Sequence, residues 1–326
     1  MSFKKLDSED FLVSADSITA PAWSNYSASL ITFPFSPTQQ DSISGLYYLN
    51  IYNIAATNPQ AEIQFSIAYG DIKGSGSARY NDSVNGLSPS RTVYGQFINL
   101  LFGEDENASF DFGGPAVNNE YFWAIVINRA RYKQAIAPGS LQLRLNNLTN
   151  IYLTDNSRIA SIVEYTNAGR RYTLGSGSFG DGIMPANATQ GVYGYLYPDV
   201  GIIILNPAAV TPGDANRQPD VNGNNPGIFQ SRLSRFYLKS EETVTSDFVF
   251  CRARNAEFNY SVNPSFSISA SAGTILYNEF IQNPTTYITS VGMYNDNNEL
   301  LAVAKLSKPL KKDFTKEALI RVKLDF

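Results

Sequence analysis

Apolar side chains recur at every second residue in many short segments of this chain, and this spacing constrains its fold more than any other feature. In one segment, Ile63, Phe65 and Ile67 alternate with small or polar residues. A period of two places successive side chains on opposite faces of a β-strand, so that one face is buried and the other meets solvent. The same alternation runs through 318–326 at the end of the sequence. It predicts a fold that is mainly β.

Turn signals between these segments indicate antiparallel pairing. Between 287 and 306, two β-branched or apolar segments flank a cluster of asparagine and aspartate at 295–298. These residues tolerate left-handed backbone angles, as the turn of a β-hairpin requires. A second hairpin is expected to turn at Asn167–Gly169, and the segment 120–132 is apolar on both faces, as a central strand is. We therefore predict antiparallel sheet or sandwich domains.

Helical periodicity is rare. The segment 88–103 predicts one short helix, with Ser88 as its cap and Gly103 as its stop. A second short helix is expected within 229–237, because its aromatic and leucine residues fall on one side of a helix. The prediction is thus one or two short helices packed against sheets.

Prolines and polar stretches divide the chain into four parts. Residues 1–40 are predicted to form an extended N-terminal arm, because their prolines lack the amide proton that a β-ladder needs. A β-rich domain is expected at 41–206, followed at 207–228 by a surface loop or linker of low apolar content. The C-terminal β-rich region at 229–326 can also pack with 41–206 as a single domain.

The charge balance disfavours two classes of partner. The net charge is -4 and the isoelectric point is near 5.0, so the chain has no long-range attraction to phosphate backbones or anionic lipids. No stretch approaches the ~20 apolar residues that cross a bilayer. We expect neither nucleic-acid binding nor membrane insertion. The single cysteine, Cys251, cannot form an internal disulfide.

The absence of histidine from all 326 residues removes the commonest catalytic and metal-binding side chain. Carboxylate pairs remain, but the densest acidic cluster, at 103–108, is best explained as a solvated loop. The glycine-rich segment 70–82 lacks the spacing of a phosphate-binding loop, and 220–225 lacks the glutamate that closes a calcium loop. We predict no catalytic, cofactor or metal site, and leave open whether 207–228 binds a ligand or an ion.

Eight residues are candidates for contacts with other subunits. Three are aromatic residues of the predicted arm, four are arginines at strand ends, and one is the last residue. The arginines have two interpretations: they contact acidic patches on a neighbouring subunit, or they simply lie on the solvated face of a sheet. The eight are Trp23, Phe33, Phe35, Arg129, Arg131, Arg252, Arg254 and Phe326.

Several phrases, in the same order, carry a family resemblance. They include "SGLYYLNIYN", "SPSRTVYGQFINLL", "YFWAIVINRARYKQAIAPGSLQLRL" and "TTYITSVGMYNDNNELLAVAKLSKPL". From about residue 40 to its end, the chain resembles a family of virion structural proteins from large contractile-tailed phages, including phages of marine cyanobacteria. The resemblance implies a component of the virion, in the tail or baseplate, that is made in the host cytoplasm. It carries over no functional residue.

We therefore predict a non-catalytic structural subunit that assembles through sheet edges, aromatic surfaces and terminal segments. Its expected partners are other virion proteins and copies of itself. Three alternatives stay open: a receptor- or glycan-binding tail module that contacts the host surface, a glycan depolymerase that uses two carboxylates, and a capsid or neck protein. Deletion of 1–40 is expected to leave a folded domain that no longer enters particles.

Overall fold

The computed structural model describes most of the chain in ten segments: 4–35, 48–74, 90–103, 109–110, 112, 120–146, 150–176, 193–210, 225–260 and 274–325. These residues belong to two compact units. The terminal unit consists of Met1–Asp16 and Thr243–Phe326, and the central unit is Ser17–Glu242. The fold is mainly β with large antiparallel sheets, as predicted. The division differs from the predicted one, because both ends of the chain join in a single unit.

Seventeen strands are described: β1 (Phe11–Pro21), β2 (Ser29–Leu30), β3 (Tyr48–Tyr52), β4 (Ile63–Asp71), β5 (Tyr121–Ile127), β6 (Ala135–Ile136), β7 (Gln142–Leu145), β8 (Ile151–Asp155), β9 (Glu164–Thr166), β10 (Gly169–Ser176), β11 (Gly194–Tyr197), β12 (Ile202–Leu205), β13 (Leu233–Tyr237), β14 (Lys239–Ala253), β15 (Thr286–Tyr294), β16 (Leu300–Lys312) and β17 (Ala318–Asp325). Four helices accompany them within the described residues: α1 (Ser90–Phe102), α2 (Pro207–Val210), α3 (Asn225–Gln230) and α4 (Glu279–Gln282). Short 3-10 turns occur at Ser8–Asp10 and Arg129–Arg131. No described helix is long and apolar enough to span a bilayer.

An eleven-stranded sheet forms the central unit. Its strand order is β2-β13-β7-β8-β10-β11-β12-β5-β4-β3, with β9 paired to β10. The predicted central strand is confirmed, because β5 pairs with β12 on one side and β4 on the other. The predicted hairpin at 167–169 is also confirmed: β9 and β10 meet at Gly169, whose φ of 93° suits a residue without a Cβ.

The strands at the middle of this sheet are buried on both faces. Along β5, Trp123 and Ile125 belong to one apolar cluster, whereas Phe122 and Ala124 belong to a second cluster on the opposite face. Helix α1 packs on that second face through residues such as Phe97. The alternation of side chains along each strand thus supplies two cores from one sheet.

The sheet curves so that its two ends face each other across the first cluster. The ring of Phe65 on β4 lies 5.1 Å from that of Phe236 on β13, although these strands are near opposite ends of the strand order. Trp23 fills the space between them, with ring centroids 5.9 Å from Phe65 and 5.1 Å from Phe236. This closure gives the central unit a sandwich-like core.

Two helix predictions have different outcomes. Helix α1 confirms the first: it ends before Gly103, whose φ is 82°, while the predicted cap at Ser88 lies outside the described residues. The second was wrong over most of its length, because the chain turns after α3 and continues as β13. Pairing of β13 with β7 and β2 outweighs the helical spacing of its apolar residues.

The terminal unit contributes strands to two small sheets. The first has four strands, in the order β1-β14-β17 with β6 also paired to β14, and β14 pairs with β17 from Ser246↔Asp325 to Ala253↔Ala318. The second is the hairpin β15–β16, which confirms the predicted hairpin between 287 and 306. Residues predicted as an extended arm are therefore partly sheet: β1 occupies 11–21, because its prolines lie outside the strand interior and do not interrupt pairing.

Candidate interaction surface

The two units differ sharply in how much apolar surface they bury. Both large apolar clusters consist of central-unit residues. In the described part of the terminal unit, the buried apolar residues are Val249, Ala253, Ala318 and Val322, which sit in facing pairs on β14 and β17. Side chains this small and this few give little stabilisation, since burial is worth roughly 25 cal/mol per Å² of apolar surface.

The β15–β16 hairpin of the terminal unit is largely exposed. Its strands have nine and thirteen residues, and among these only Lys312 is buried. Leu301 is 68% exposed and Val303 62%, and Leu300 and Tyr287 are also exposed. Because Leu300 and Leu301 are adjacent in a strand, they face opposite sides, so both faces of the ribbon present apolar groups.

The hairpin turn is held by its own side chains. Oδ1 of Asn295 accepts hydrogen bonds from the backbone N–H groups of Asn297 and Glu299, at 3.0 and 2.8 Å. Asn298 takes a left-handed φ of 63°. The asparagine cluster that predicted the hairpin therefore fixes its register, although the ribbon lacks a core of its own.

Strand β1 forms an exposed edge of the first sheet. Phe11, Leu12 and Val13 are consecutive and all more than half exposed, so apolar groups lie on both faces of the strand. Four acidic residues and no basic ones occur in 7–16. The edge is thus both apolar and negatively charged.

Strand β17, at the other edge of that sheet, is basic. Its outward-facing residues include Leu319, which is 63% exposed, together with Arg321 and Lys323. The charged groups of Arg321 and Lys323 lie 5.3 and 5.9 Å from the ring centroid of Phe248 on β14. Nζ of Lys323 also forms an ion pair with Asp325 at 2.9 Å.

A shallow cleft of about 310 Å³ lies between β16 and β17. One wall consists of residues 304–308 of β16, and the other of residues 320–322 of β17. Three basic residues, Lys305, Lys308 and Arg321, border it. From 300 to 325 the sequence has seven lysine and arginine residues against three aspartate and glutamate residues, so this side of the unit is positively charged.

Lys312 ties the base of the hairpin to the loop after β14. Its side chain is fully buried, and Nζ donates to the backbone oxygens of Asn255 and Asp313 and to Oδ1 of Asn259, at 2.9 to 3.0 Å. Three oxygen acceptors satisfy all three protons of the ammonium group. No pattern in the sequence predicts this contact, because nothing in the neighbouring residues distinguishes Lys312 from the other lysines of β16, which are exposed.

The aromatic candidates of the predicted arm do not form one surface. Trp23 is only 2% exposed, and its Nε1 donates to the backbone oxygen of Phe236 at 3.2 Å. Phe33 packs against the same cluster, and the partly exposed Phe35 forms an isolated bridge with Ile51. The interpretation of Trp23 as an interface residue was wrong, because the ring fills the closure of the central sheet.

The four candidate arginines are divided between the units. In the central unit, Arg131 forms an ion pair with Glu62 at 3.2 Å, and Arg129 lies over the ring of Tyr132. In the terminal unit, Arg252 pairs loosely with Glu317 at 3.5 Å, and Arg254 is exposed. Phe326 lies outside the described residues.

Asp71 in the central unit has a buried carboxyl group. Burial raises the pKa of the Asp71 carboxyl, even though the Tyr69 hydroxyl donates to it at 2.7 Å and the Lys73 N–H at 2.8 Å. These bonds fix the carboxyl at the end of β4. Burial likewise raises the pKa of the Cys251 thiol, which makes it less reactive at neutral pH.

Two further observations concern ligands. Within the described ranges, no group of three or more cysteine and carboxylate side chains is arranged to hold a metal ion. A polar pocket of about 320 Å³ lies on the central unit, bordered by residues such as Ser140, Gln142, Tyr237 and Lys239. Hydroxyl, amide and ammonium groups in this arrangement suit a hydrogen-bonding ligand.

Comparisons with known proteins give no relative: no protein-family model, no curated protein and no solved structure matches this chain.

Proposed function

We propose that this chain is a non-catalytic structural subunit of a larger protein assembly, and that the terminal unit provides its contact surface. The observation that supports this most strongly is the contrast between the units. The central unit has two apolar clusters, whereas the described strands of the terminal unit expose apolar side chains at their edges and faces.

The physical reason is the cost of leaving such strands in water. A two-stranded ribbon is marginally stable by itself, and an exposed edge presents unpaired N–H and C=O groups. Association with a neighbour satisfies these groups and buries the apolar residues of β1, β16 and β17. A subunit that acts only as part of an assembly gains its remaining stability there.

The resemblance noted in the sequence supports a specific assembly: the virion of a contractile-tailed phage, in its tail or baseplate. The histidine-free composition supports a role without catalysis, because the usual acid–base side chain is missing. The single cysteine also fits this role, because burial suppresses thiolate formation.

The test replaces the exposed apolar residues of the hairpin. A chain carrying Leu300→Ser, Leu301→Ser and Val303→Ser is produced during infection, and its content in purified particles is measured by mass spectrometry. We expect this variant to be absent from particles. The matched control carries Ile54→Ser, Ile72→Ser and Ile162→Ser, which change exposed apolar residues of the central unit. Wild-type incorporation of the hairpin variant, or equal loss of the control, contradicts the proposal.

A second candidate function is glycan binding, which the polar pocket beside Gln142 and Lys239 favours. The test is a glycan array with the full chain and with Gln142→Ala. A sugar-specific signal that the substitution abolishes supports this function, and the absence of signal from the wild type contradicts it. A reducing-end assay on the bound polysaccharide then separates binding from depolymerase activity, since only the latter shows sustained turnover.

A further inference from the structure

We infer that copies of this chain join head to tail, with the β1 edge of one copy added to the β17 edge of the next. This inference rests on the proposed function and names the partner of the same surface. Its starting point is that the sheet β1-β14-β17 ends in two different strands. Within the described residues, β1 and β17 each pair only with β14 in this unit, so each presents one free edge.

The two edges carry opposite charge. The β1 side has Asp7, Glu9, Asp10 and Asp16 with no basic residue in 7–16. The β17 side has Arg321 and Lys323, the latter paired with Asp325 at 2.9 Å, and the adjoining cleft adds Lys305 and Lys308 from β16, so basic residues outnumber acidic ones there. Opposite charges across an interface steer encounter and fix which surfaces meet.

The two edges also match in apolar character. Phe11, Leu12 and Val13 project from both faces of β1, and Leu319 projects from the outer face of β17. On the other face, Ile320 and Val322 border the cleft beside β16. A strand added at this edge forms backbone hydrogen bonds with β17, and its inward side chains occupy the cleft.

The same charges disfavour the symmetric alternatives. Pairing β1 with β1 brings acidic strands together, and pairing β17 with β17 brings basic strands together, so like-charge repulsion opposes both. Pairing between different edges is a heterologous contact, which repeats from copy to copy and gives a ring or a linear array. The terminal unit therefore gives the array a direction, because the β1 edge of each copy meets the β17 edge of the next.

The test is a charge swap in the full-length chain, read out by sedimentation velocity. The acid-reversed variant carries Glu9→Lys and Asp16→Lys, and the base-reversed variant carries Arg321→Glu and Lys323→Glu. We expect the wild type to self-associate, and each variant alone to associate at least about tenfold more weakly, a loss equivalent to ~1.4 kcal/mol. The control Glu62→Lys with Glu164→Lys makes the same change in net charge as the acid-reversed variant, but on exposed central-unit carboxylates, and we expect wild-type association.

An equimolar mixture of the two variants is the decisive measurement. The reversed β1 of one variant meets the reversed β17 of the other, and the unaltered edges also complement each other, so association is expected to return. Recovery in the mixture excludes misfolding as the cause of the single-variant losses. A mixture that stays dissociated, or a control that loses association, overturns the head-to-tail contact.

If the wild-type chain sediments as a monomer, this inference is contradicted, whereas the proposed function is not. In that case the hairpin variant with Leu300, Leu301 and Val303 replaced is still lost from particles, which shows that the terminal unit contacts a different virion protein. The opposite result is that the hairpin variant enters particles normally while the charge swap behaves as expected. That result supports head-to-tail self-association and contradicts the proposed role of the hairpin in particle assembly.

Discussion

At the scale of single residues, buried hydrogen bonds position parts of the terminal unit that in the central unit are positioned by apolar packing. The terminal unit has few buried apolar side chains, but it buries Lys312 and Asn259 in a network with backbone oxygens. A buried ammonium group is tolerated only when its donors are satisfied. These polar contacts therefore specify where the hairpin base lies within its own unit.

We predict that Lys312→Ala selectively destabilises the terminal unit, by about 1–3 kcal/mol, because the ammonium group that joins the oxygens of Asn255, Asn259 and Asp313 is removed. Hydrogen exchange of the β17 amides measures this loss. Lys305→Ala, an exposed change in the same strand, is the control and should alter stability by less than about 0.5 kcal/mol. Equal exchange rates in the two variants would show that the buried contact contributes nothing.

A second residue-scale prediction concerns Asp71. Burial raises the pKa of its carboxyl in the folded chain, so its contribution to stability is full below the unfolded pKa of ~3.9 and is lost as the pH rises through the folded pKa. Asp71→Asn does not titrate. We expect the variant to gain melting temperature relative to the wild type as the pH rises from acid to neutral. Parallel melting curves for both proteins from pH 3.5 to 7 would count against this assignment.

At the scale of elements, local signals identify turns well and strand partners poorly. The hairpin β15–β16 was predictable because Asn295 and its neighbours determine the turn locally. Strand β1 was not, since Phe11, Leu12 and Val13 follow one another without alternation, and its pairing with β14 is contributed by a distant segment. For β13 the helical spacing was misleading, because contacts with β7 decide the outcome. An element can therefore be predicted from the sequence when the residues that determine it lie within the element, and not when a distant strand determines it.

The hairpin itself supports a prediction at this scale. In the free chain, we expect backbone amides of β15 and β16 to exchange at least roughly a hundredfold faster than those of β5, because opening the ribbon exposes little apolar surface whereas opening β5 disrupts two clusters. Hydrogen exchange with mass spectrometry measures both. Protection should increase on assembly. Hairpin amides that are protected like β5 in the free chain would indicate that the ribbon is stable without partners.

At the scale of the whole molecule, the division into units depends on contacts between distant segments. The sequence suggested boundaries at proline-rich stretches, but the terminal unit combines Met1–Asp16 with Thr243–Phe326. The candidate surface was partly predictable: exposed strand edges were expected, and the C-terminal strand was correctly placed. Trp23 was wrongly assigned to the contact surface, because no pattern in the neighbouring residues indicates that its ring is buried where the curved sheet closes.

This division reverses the expectation for deletion of 1–40. The truncation removes Trp23 and strand β2, and the loss of a buried tryptophan alone costs about 3–5 kcal/mol. We predict that the truncated chain loses the cooperative unfolding transition of the central unit, and that full-length Trp23→Ala shows a lowered denaturation midpoint. Ile162→Ser, an exposed change in the central unit, is the control with little effect. A truncated chain with an unchanged midpoint would restore the interpretation of 1–40 as a separable arm.

The assignment of both chain ends to one unit has a consequence for synthesis on the ribosome. The central unit is complete once Glu242 has emerged, so it can fold while translation continues. Strand β14 gains its partner β17 only after translation has passed Asp325. The edges that we propose as contacts are therefore completed after the central unit, which limits premature joining between neighbouring nascent chains on one messenger RNA.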